Sequence, residues 1–537
     1  MIELLQNGRL SELMNGDSDF MRSATDIVTT QAAPKAEKRN YLAAASGRLT
    51  ADWPTVNMSS DEELYRDLRK LRGRSRWLKK NNGYYAKYIN MCCDNIVGPK
   101  GVRLEAKVLS GNTTNLDKLA NIKIEDAWKA WGKKGICSVS ADWSLFDMER
   151  VIIRSVAKDG EVIIRKWYGT KNGWGYALEL IDAMRLPVEF NKILSATSEI
   201  INGIEYESGR VIAYWLLPAN MKYDFSTNQA ERIEAQYIIH MYFPEDAGQK
   251  RGAPWLVAGM GRMKMQDGYE NAEVVQARIA AEAGGYFTKT AAAEAGFSGA
   301  DSDEEETIEN MESEAGNFRI LPEGWNFTQF DPTHPTTAFA DFNAALLRGI
   351  ASSGNVNYTS LANTPGDANY SSLRIAVLEG RDNWQIKQKW FIEWFHEQIY
   401  VDWLAMAMSS GKLNGLRFAE IERYKRVTFV PRFWVWVDPQ KEAEGNKSKV
   451  SMGTASLTDI AAEQGKDFED VIEQQKKEKD LLIEAGLYSP ETFGLPAPSP
   501  VPAVATDANV SRRLDEIERR MAGYKINGIH KELDHAN

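Results

Sequence analysis

The chain has 537 residues, 43% of them hydrophobic, and carries a formal net charge of −10 with three cysteines and five histidines. That length buries a sizeable core in about two to four domains. No window approaches the roughly 18 consecutive apolar residues of a membrane span, the start MIELLQNGRL lacks the basic head and apolar run of a signal peptide, and the acidic balance argues against tight gripping of phosphates.

Residues 1–58 are polar and broken by Pro34, Gly47 and Pro54, which predicts a mobile arm. Leu64, Leu68, Leu71 and Leu78 then recur at helical spacing behind Asp61, a candidate cap, and the run ends at Asn81-Asn82-Gly83. Tyr85, Tyr88, Ile89, Cys92 and Ile96 make a second helical stripe, closed by Gly98-Pro99, with a strand beginning near Val102. The cations from Arg66 to Lys87, among them Arg72 and Arg76, occur all round the first of these helices beside Asp61, Glu62, Glu63 and Asp67. That pattern predicts an exposed charged helix or a subunit contact. Further helices are expected over 117–131 and 144–158. The period then changes to two: a hairpin is expected over 161–168 and 176–181, turning at Asn172-Gly173. A second hairpin is expected over 203–206 and 211–217, and another strand over 237–243.

Helical spacing returns from Ala253 to about Ala283 and stops at Gly284-Gly285. A short strand is expected over 286–289. GADSDEEETIENMESEAG follows, strongly acidic and without one Lys or Arg. Strands are expected over 318–322 and 325–330, and Pro332 and Pro335 close the insert. A helix over 336–352 leads into the polar loop GNVNYTSLANTPGDANY, residues 354–370. Ser371 or Ser372 is expected to cap the longest helix, about 373–409. A strand over 426–437 and helices over 439–452, 457–464 and 467–485 complete the ordered part. LPAPSPVPAVA reads as a linker, followed by a short amphipathic helix on Val510, Leu514, Ile517 and Met521.

Catalytic signatures are wanting. Gly445-Asn446-Lys447-Ser448 lacks the first glycine of a phosphate loop. Gly259-Met260-Gly261 lacks the third glycine of a dinucleotide fingerprint. His240, His334, His396, His530 and His535 make no metal-ligand spacing, and His240 reads as a satisfied residue within a strand. The three cysteines read as reduced, mostly buried thiols of a cytosolic product. The carboxylates between Asp301 and Glu314 are a candidate metal site. As a low-complexity run of like charge, however, they fit a solvated surface better, one suited to docking a basic partner and repelling DNA phosphates.

The order of several short motifs closely resembles the lambda family of phage portal proteins over roughly residues 40–490. The motifs are Asn81-Asn82-Gly83-Tyr84 through Asp94-Asn95-Ile96-Val97-Gly98, Asp159-Gly160-Glu161-Val162, Leu180-Ile181-Asp182-Ala183, Arg251-Gly252-Ala253-Pro254-Trp255 and Tyr370-Ser371-Ser372-Leu373-Arg374. The resemblance implies an α+β portal fold with wing, stem, clip and crown, closed by a repeated heterologous contact into a ring of about twelve copies around an axial channel. Carried over by order, the wing is 59–252 with the strand segment 411–438. The stem helices are 253–283 and 336–353, the clip 284–335, the tunnel loop 354–370, the long helix of wing and crown 371–410, and the crown helices 439–490. An N-terminal arm of 1–58 and a tail of 491–537 flank them.

The expected function is a head-tail connector at a capsid vertex of the virion, assembled in the host cytoplasm and without catalysis or cofactors. Double-stranded DNA would pass through it. Its expected partners are the terminase large subunit, the major capsid protein and scaffold, and a head-completion or adaptor protein. The loop contains no Lys or Arg, so channel contacts are expected from Asn355, Asn357, Tyr358, Asn363, Asn369 and Tyr370, with Arg262 and Lys264 as stem cations. Partner docking is expected at Asp301, Asp303, Glu304, Glu305, Glu306 and Glu309 of the clip. Two other readings stay open: a metal-dependent DNA-processing enzyme using the acidic run, and an acidic scaffold or adaptor that binds only proteins.

Overall fold

A computed structural model describes residues 48, 55–111, 115–219, 229–281, 285–289, 325–329, 338–364, 370–434, 439–464, 468–487, 516, 518 and 519. The acidic run 301–314, the expected strand 318–322, the loop tip Pro365-Gly366, Asn369, the Pro-rich linker and nearly all of the N-terminal arm and C-terminal helix lie outside the described residues.

Two helices open the ordered chain, α1 (Ser60–Asn81) and α2 (Gly83–Ile96). Asn82 separates them, because its side-chain oxygen accepts the Tyr85 N–H at 2.9 Å and so starts the second helix. Asp61 does not cap. It lies inside the first turn of α1, where its carboxylate binds both the backbone N–H and the ammonium of Lys250. After β1 (Arg103–Ala106) come α3 (Lys118–Trp131), capped by Asp117, and α4 (Leu145–Asp159), which begins with a reciprocal Ser144–Asp147 capping box.

β2 (Glu161–Thr170) is the middle strand of a three-stranded antiparallel sheet, with β3 (Gly175–Ile181) on one side and β9 (Ile238–Tyr242) on the other. Between β3 and β9 the chain makes an antiparallel five-stranded meander: β4 (Lys192–Ile193), β5 (Ser198–Ile201), β6 (Ile204–Glu207), β7 (Arg210–Leu216) and β8 (Glu231–Glu234). The three-stranded sheet is buried on both faces. Val162 and Ile164 of β2 enter the main core, whereas Ile163 between them enters a second core with Ile204, Tyr214, Leu216 and Ile233 of the meander.

Beyond the sheets lie α5 (Val257–Ala281), β10 (Gly285–Lys289), β11 (Trp325–Gln329) and α6 (Ala338–Ser353). β10 and β11 pair antiparallel with each other, and among the described residues with no other strand. A short helix α7 (Tyr358–Ala362) precedes α8 (Tyr370–Phe391), which passes through a π-helical turn at Ile392–His396 into α9 (Glu397–Ser409). Because α8 already begins at Tyr370, Ser371 and Ser372 sit in its first turn and are not its cap. α10 (Ile421–Tyr424) leads to β12 (Val427–Val430), which pairs antiparallel with β1. This strand is shorter than the expected 426–437: residues 431–434 are not in a strand, and 435–438 lie outside the described residues. α11 (Pro439–Ser451), α12 (Leu457–Glu463) and α13 (Phe468–Glu484) follow.

The main core is unusually aromatic. Trp128 and Trp403 meet edge to face at 4.9 Å, Trp131 stacks on Tyr176 at 5.8 Å, and the Trp131 indole N–H donates to the Tyr176 carbonyl at 3.0 Å. His396, in the π-helical turn, is fully buried against Glu149 at 2.8 Å, and that carboxylate also accepts the Val102 N–H. The three cysteines are free and buried, and burial pushes the Cys92 thiol up to about 12.

Candidate channel segment and the joint behind it

Four contacts in sequence set α5 against α6. Gly259 faces Ser353, Arg262 lies across Gly349, Gln266 donates to Asn343 at 3.2 Å, and the Tyr269 ring meets Phe342 at 5.0 Å. As one number rises the other falls, so the helices run antiparallel. The pair is close: a Cβ on Gly349 would sit 1.7 Å from the Arg262 guanidinium. The middle contact is a polar relay. Asn343 also donates to Glu270 at 2.8 Å, and the same carboxylate oxygen accepts from the Tyr84 hydroxyl of α2 at 3.4 Å.

Both expected stem cations lie against groups of the chain while staying exposed. Arg262 is exposed but directed at α6, and the Lys264 ammonium lies 3.4 Å from Asp267 and 4.3 Å from the centre of the Trp77 ring.

The expected loop 354–370 is not all loop. Asn357 caps α7, its side-chain oxygen accepting the Thr359 N–H and hydroxyl at 3.0 Å each. Asn363 closes α7 in the left-handed region at φ 56°, and Asn355 is left-handed as well at φ 48°. Asparagine tolerates that region better than most residues, so these asparagines have local work that polarity alone did not announce. Asn355 and Asn363 are exposed, whereas Asn357 and Tyr358 are half-buried, with Arg348 over the Tyr358 ring at 5.1 Å. Tyr370 starts α8. The carboxylates expected to dock partners, Asp301, Asp303, Glu304, Glu305, Glu306 and Glu309, lie outside the described residues.

The joint that carries this segment was missed as a site. Glu161, the first residue of β2, is fully buried and receives four groups. The Arg251 guanidinium contacts both its oxygens at 2.5–3.0 Å, Arg72 reaches it at 2.7 Å, the His240 ring at 3.0 Å, and the Gly252 N–H at 3.2 Å. The remaining donors of the arginines go to backbone carbonyls: Arg72 to Asp159 and Ala183, Arg251 to Leu186 and Asn202. Arg72 thus corrects the reading of α1 as an evenly solvated charged helix, as does Arg76, which bridges Asp159 and Asp182 at 2.7 Å each.

Burial alone would push the Glu161 carboxyl up. The guanidiniums of Arg251 and Arg72, with His240, outweigh it and hold that carboxyl well below the usual range. Burial lowers the His240 imidazole against the opposing pull of Glu161. Among the described residues no group of three or more His, Cys, Asp or Glu is placed to hold a metal ion, and no helix is long and apolar enough to cross a membrane.

The joint draws together three motifs that lie far apart in the chain: Asp159-Gly160-Glu161-Val162, Leu180-Ile181-Asp182-Ala183 and Arg251-Gly252-Ala253-Pro254-Trp255. A family model described as phage portal protein, lambda family, matches residues 46–388. The "Probable portal protein" of Halomonas phage phiHAP-1 is 29% identical over 459 residues, covering 84% of this chain and 88% of the relative. Portal protein B of Escherichia phage lambda is 21% identical over 484 residues, covering 82% and 88%. Among solved structures, a chain from the neck of an empty GTA particle aligns with a TM-score of 0.40 at 13% identity, covering 75% of this chain and 94% of that one. The chain belongs to the lambda family of phage portal proteins.

Proposed function

We propose that the chain works as one subunit of a closed ring of about twelve copies, joined by a repeated heterologous contact. The ring sits at one vertex of the capsid, and double-stranded DNA passes along its axis during packaging and ejection. The observation that carries this reading is the antiparallel α5/α6 pair with the β10–β11 sheet between its two helices in sequence. α5 touches α6 on one side and leaves Met265, Val274 and Val275 more than half exposed on others. Exposed apolar side chains along a 25-residue helix fit burial against neighbouring copies.

In this reading α5 and α6 form the stem, and the segment 284–335 with its carboxylates 301–309 forms the clip. The clip docks the terminase large subunit and later a head-completion or adaptor protein. Residues 354–370, Asn369 and Tyr370 included, narrow the channel. The wing meets the major capsid protein and scaffold. Assembly takes place in the host cytoplasm. The ring performs no catalysis of its own: it holds the duplex without gripping it, because an acidic chain without cations in its channel loop offers phosphates few strong contacts.

Negative-stain microscopy and native mass measurement of the purified full chain test the proposal. Rings with an axial hole, and a mass near a dozen subunits, are the expected result. A compact monomer that forms no rings with capsid or terminase protein present overturns it.

A further inference from the structure

Among the described residues two helix faces lack a partner within the chain, and they are complementary. On α8, Ile375, Leu378 and Ile386 are 67%, 41% and 61% exposed. They share one face with Glu379 and Asp382, at the three- and four-residue spacing of a helical ridge. Both carboxylates are exposed, and no cation reaches either among the described residues.

The second face is on α5. Val257, Gly261, Met265 and Gly268 follow one another at the same spacing, and Val275 returns to that face seven residues on. Val257, Met265 and Val275 are 36%, 76% and 54% exposed. Lys264, 59% exposed beside Asp267, stands on one flank of this face, and the exposed Arg262, lying over Gly349, stands on the other.

The glycines supply an independent observation. A glycine weakens an exposed helix relative to alanine, so one kept there calls for a packing reason. Gly259 and Gly349 have that reason inside the chain, because an added Cβ would lie 2.3 Å from Ser353 Oγ and 1.7 Å from Arg262 Nη1 respectively. Gly261 and Gly268 have none: a Cβ at either would meet nothing within 4 Å, and neither has a positive φ. They leave two notches on the outward side of α5, beside the most exposed methionine of that helix.

We propose that the α8 ridge of one copy packs into the notched α5 face of the next, with Glu379 and Asp382 lying between Lys264 and Arg262 of that neighbour. The occupant is a second copy of this chain, and the inference rests on the ring reading above. The two faces differ, so the contact is heterologous and propagates until it closes. Two α8 faces would repel each other through Glu379 and Asp382, which disfavours a symmetric contact between them.

Cysteine cross-linking of the assembled full chain tests the pairing. The substitutions Met265→Cys and Leu378→Cys are combined in one chain, in which the three native cysteines are buried. Oxidation is expected to give a non-reducing gel ladder at multiples of the monomer mass, with neither single variant giving more than a dimer. Gly268→Leu and Asp382→Lys are each expected to reduce the ring fraction at least tenfold while the monomer keeps its circular dichroism and melting profile. Rings that form normally in both variants, with no ladder from the double cysteine, overturn this pairing and leave the ring itself standing. A wild-type chain that stays monomeric under the same conditions overturns both.

Discussion

Gly160 and Gly252 meet backbone against backbone. A Cβ built on Gly252 would lie 2.1 Å from the Gly160 carbonyl oxygen, and one on Gly160 would lie 2.2 Å from that of Gly252. Gly160 is also left-handed at φ 88°, as the turn from α4 into β2 requires. This close approach lets the strand that begins at Glu161 and the segment that enters α5 share one buried carboxylate. Replacing either glycine by alanine forces the two segments apart. Gly252→Ala is expected to lower unfolding free energy by about 2–4 kcal/mol, as overpacking of a rigid contact does. Gly160→Ala is expected to cost at least as much, since backbone strain adds to the clash. Urea titration followed by tryptophan fluorescence measures both. A change within about 0.5 kcal/mol, typical of surface substitutions, would show that the backbones separate freely.

The charge cluster behind those glycines makes the fold acid-sensitive. The Glu161 carboxyl titrates lower in the folded chain than in the unfolded one. Its contribution is therefore complete above the unfolded value of about 4.3 and is lost as pH falls through the folded value. His240 acts in the same sense. Its imidazole is held below its ordinary value, so acidification below about 6.5 protonates the unfolded chain first and favours it. Melting temperature is expected to fall between pH 7 and pH 4. Glu161→Gln is expected to lose about 3–5 kcal/mol at pH 7, because Arg72 and Arg251 stay buried without their counter-charge, and to show a flatter limb than the parent only below about pH 4.3, where the carboxyl itself titrates. A parent curve level from pH 7 to pH 4 would refute this account of the cluster.

Local rules made much of this fold legible. Asp117 and Ser144 cap the helices they precede, and Asn172-Gly173 turns the β2–β3 hairpin where it was expected. The meander was only partly visible. β4, β5 and β8 have two to four residues each, too few for alternation to register, and they exist because neighbouring strands supply their partners. The joint was legible as motifs but not as a site. Nothing in the sequence brings Arg72, Glu161, His240 and Arg251 together; the sheet pairing of β2 with β9 does so, and the packing of α1 completes it. The asparagines of 354–364 carry a local role that their polarity does not announce: Asn357 and Asn363 begin and end a helix too short to show a period.

Lys387 lies nearly buried between two indoles, its ammonium 4.9 Å from the Trp255 ring and 5.1 Å from that of Trp384. Burial pushes this ammonium down against the weaker opposing pull of Cys92 and Glu245. A lysine held low in the fold is most unfavourable while it stays charged, and stability returns as pH rises from its folded value toward the unfolded value of about 10.4. Lys387→Met keeps the chain length and removes the charge. It is expected to raise stability by about 1 kcal/mol at pH 7, within the range seen when buried charges give way to apolar residues, and the gain is expected to shrink by pH 10. Differential scanning calorimetry at both pH values measures the two differences. A variant less stable than the parent at pH 7 would mean that the cation–π contacts outweigh desolvation.

Asn357 and Asn363 separate a structural role from contact with a passing duplex. Asn357→Ala removes the side-chain acceptor of Thr359 and is expected to cost about 1 kcal/mol of local stability. Asn357→Asp keeps that acceptor and adds a charge that the N-terminus of α7 favours, so it is expected to be silent in the fold. Asn363→Gly suits the left-handed residue and is expected to be silent as well, whereas Asn363→Ala is expected to lose about 1 kcal/mol. Amide hydrogen exchange over 358–362 reads these local effects without requiring global unfolding. If capping is the main task of Asn357, DNA packaging by particles built with each variant should follow the exchange protection. The Ala variant would then be impaired and the Asp variant would package normally, although Asp places another negative charge beside the proposed path. Should the Asp variant keep full protection and yet fail to package, α7 presents this side chain to the phosphates and a repulsive group there obstructs passage.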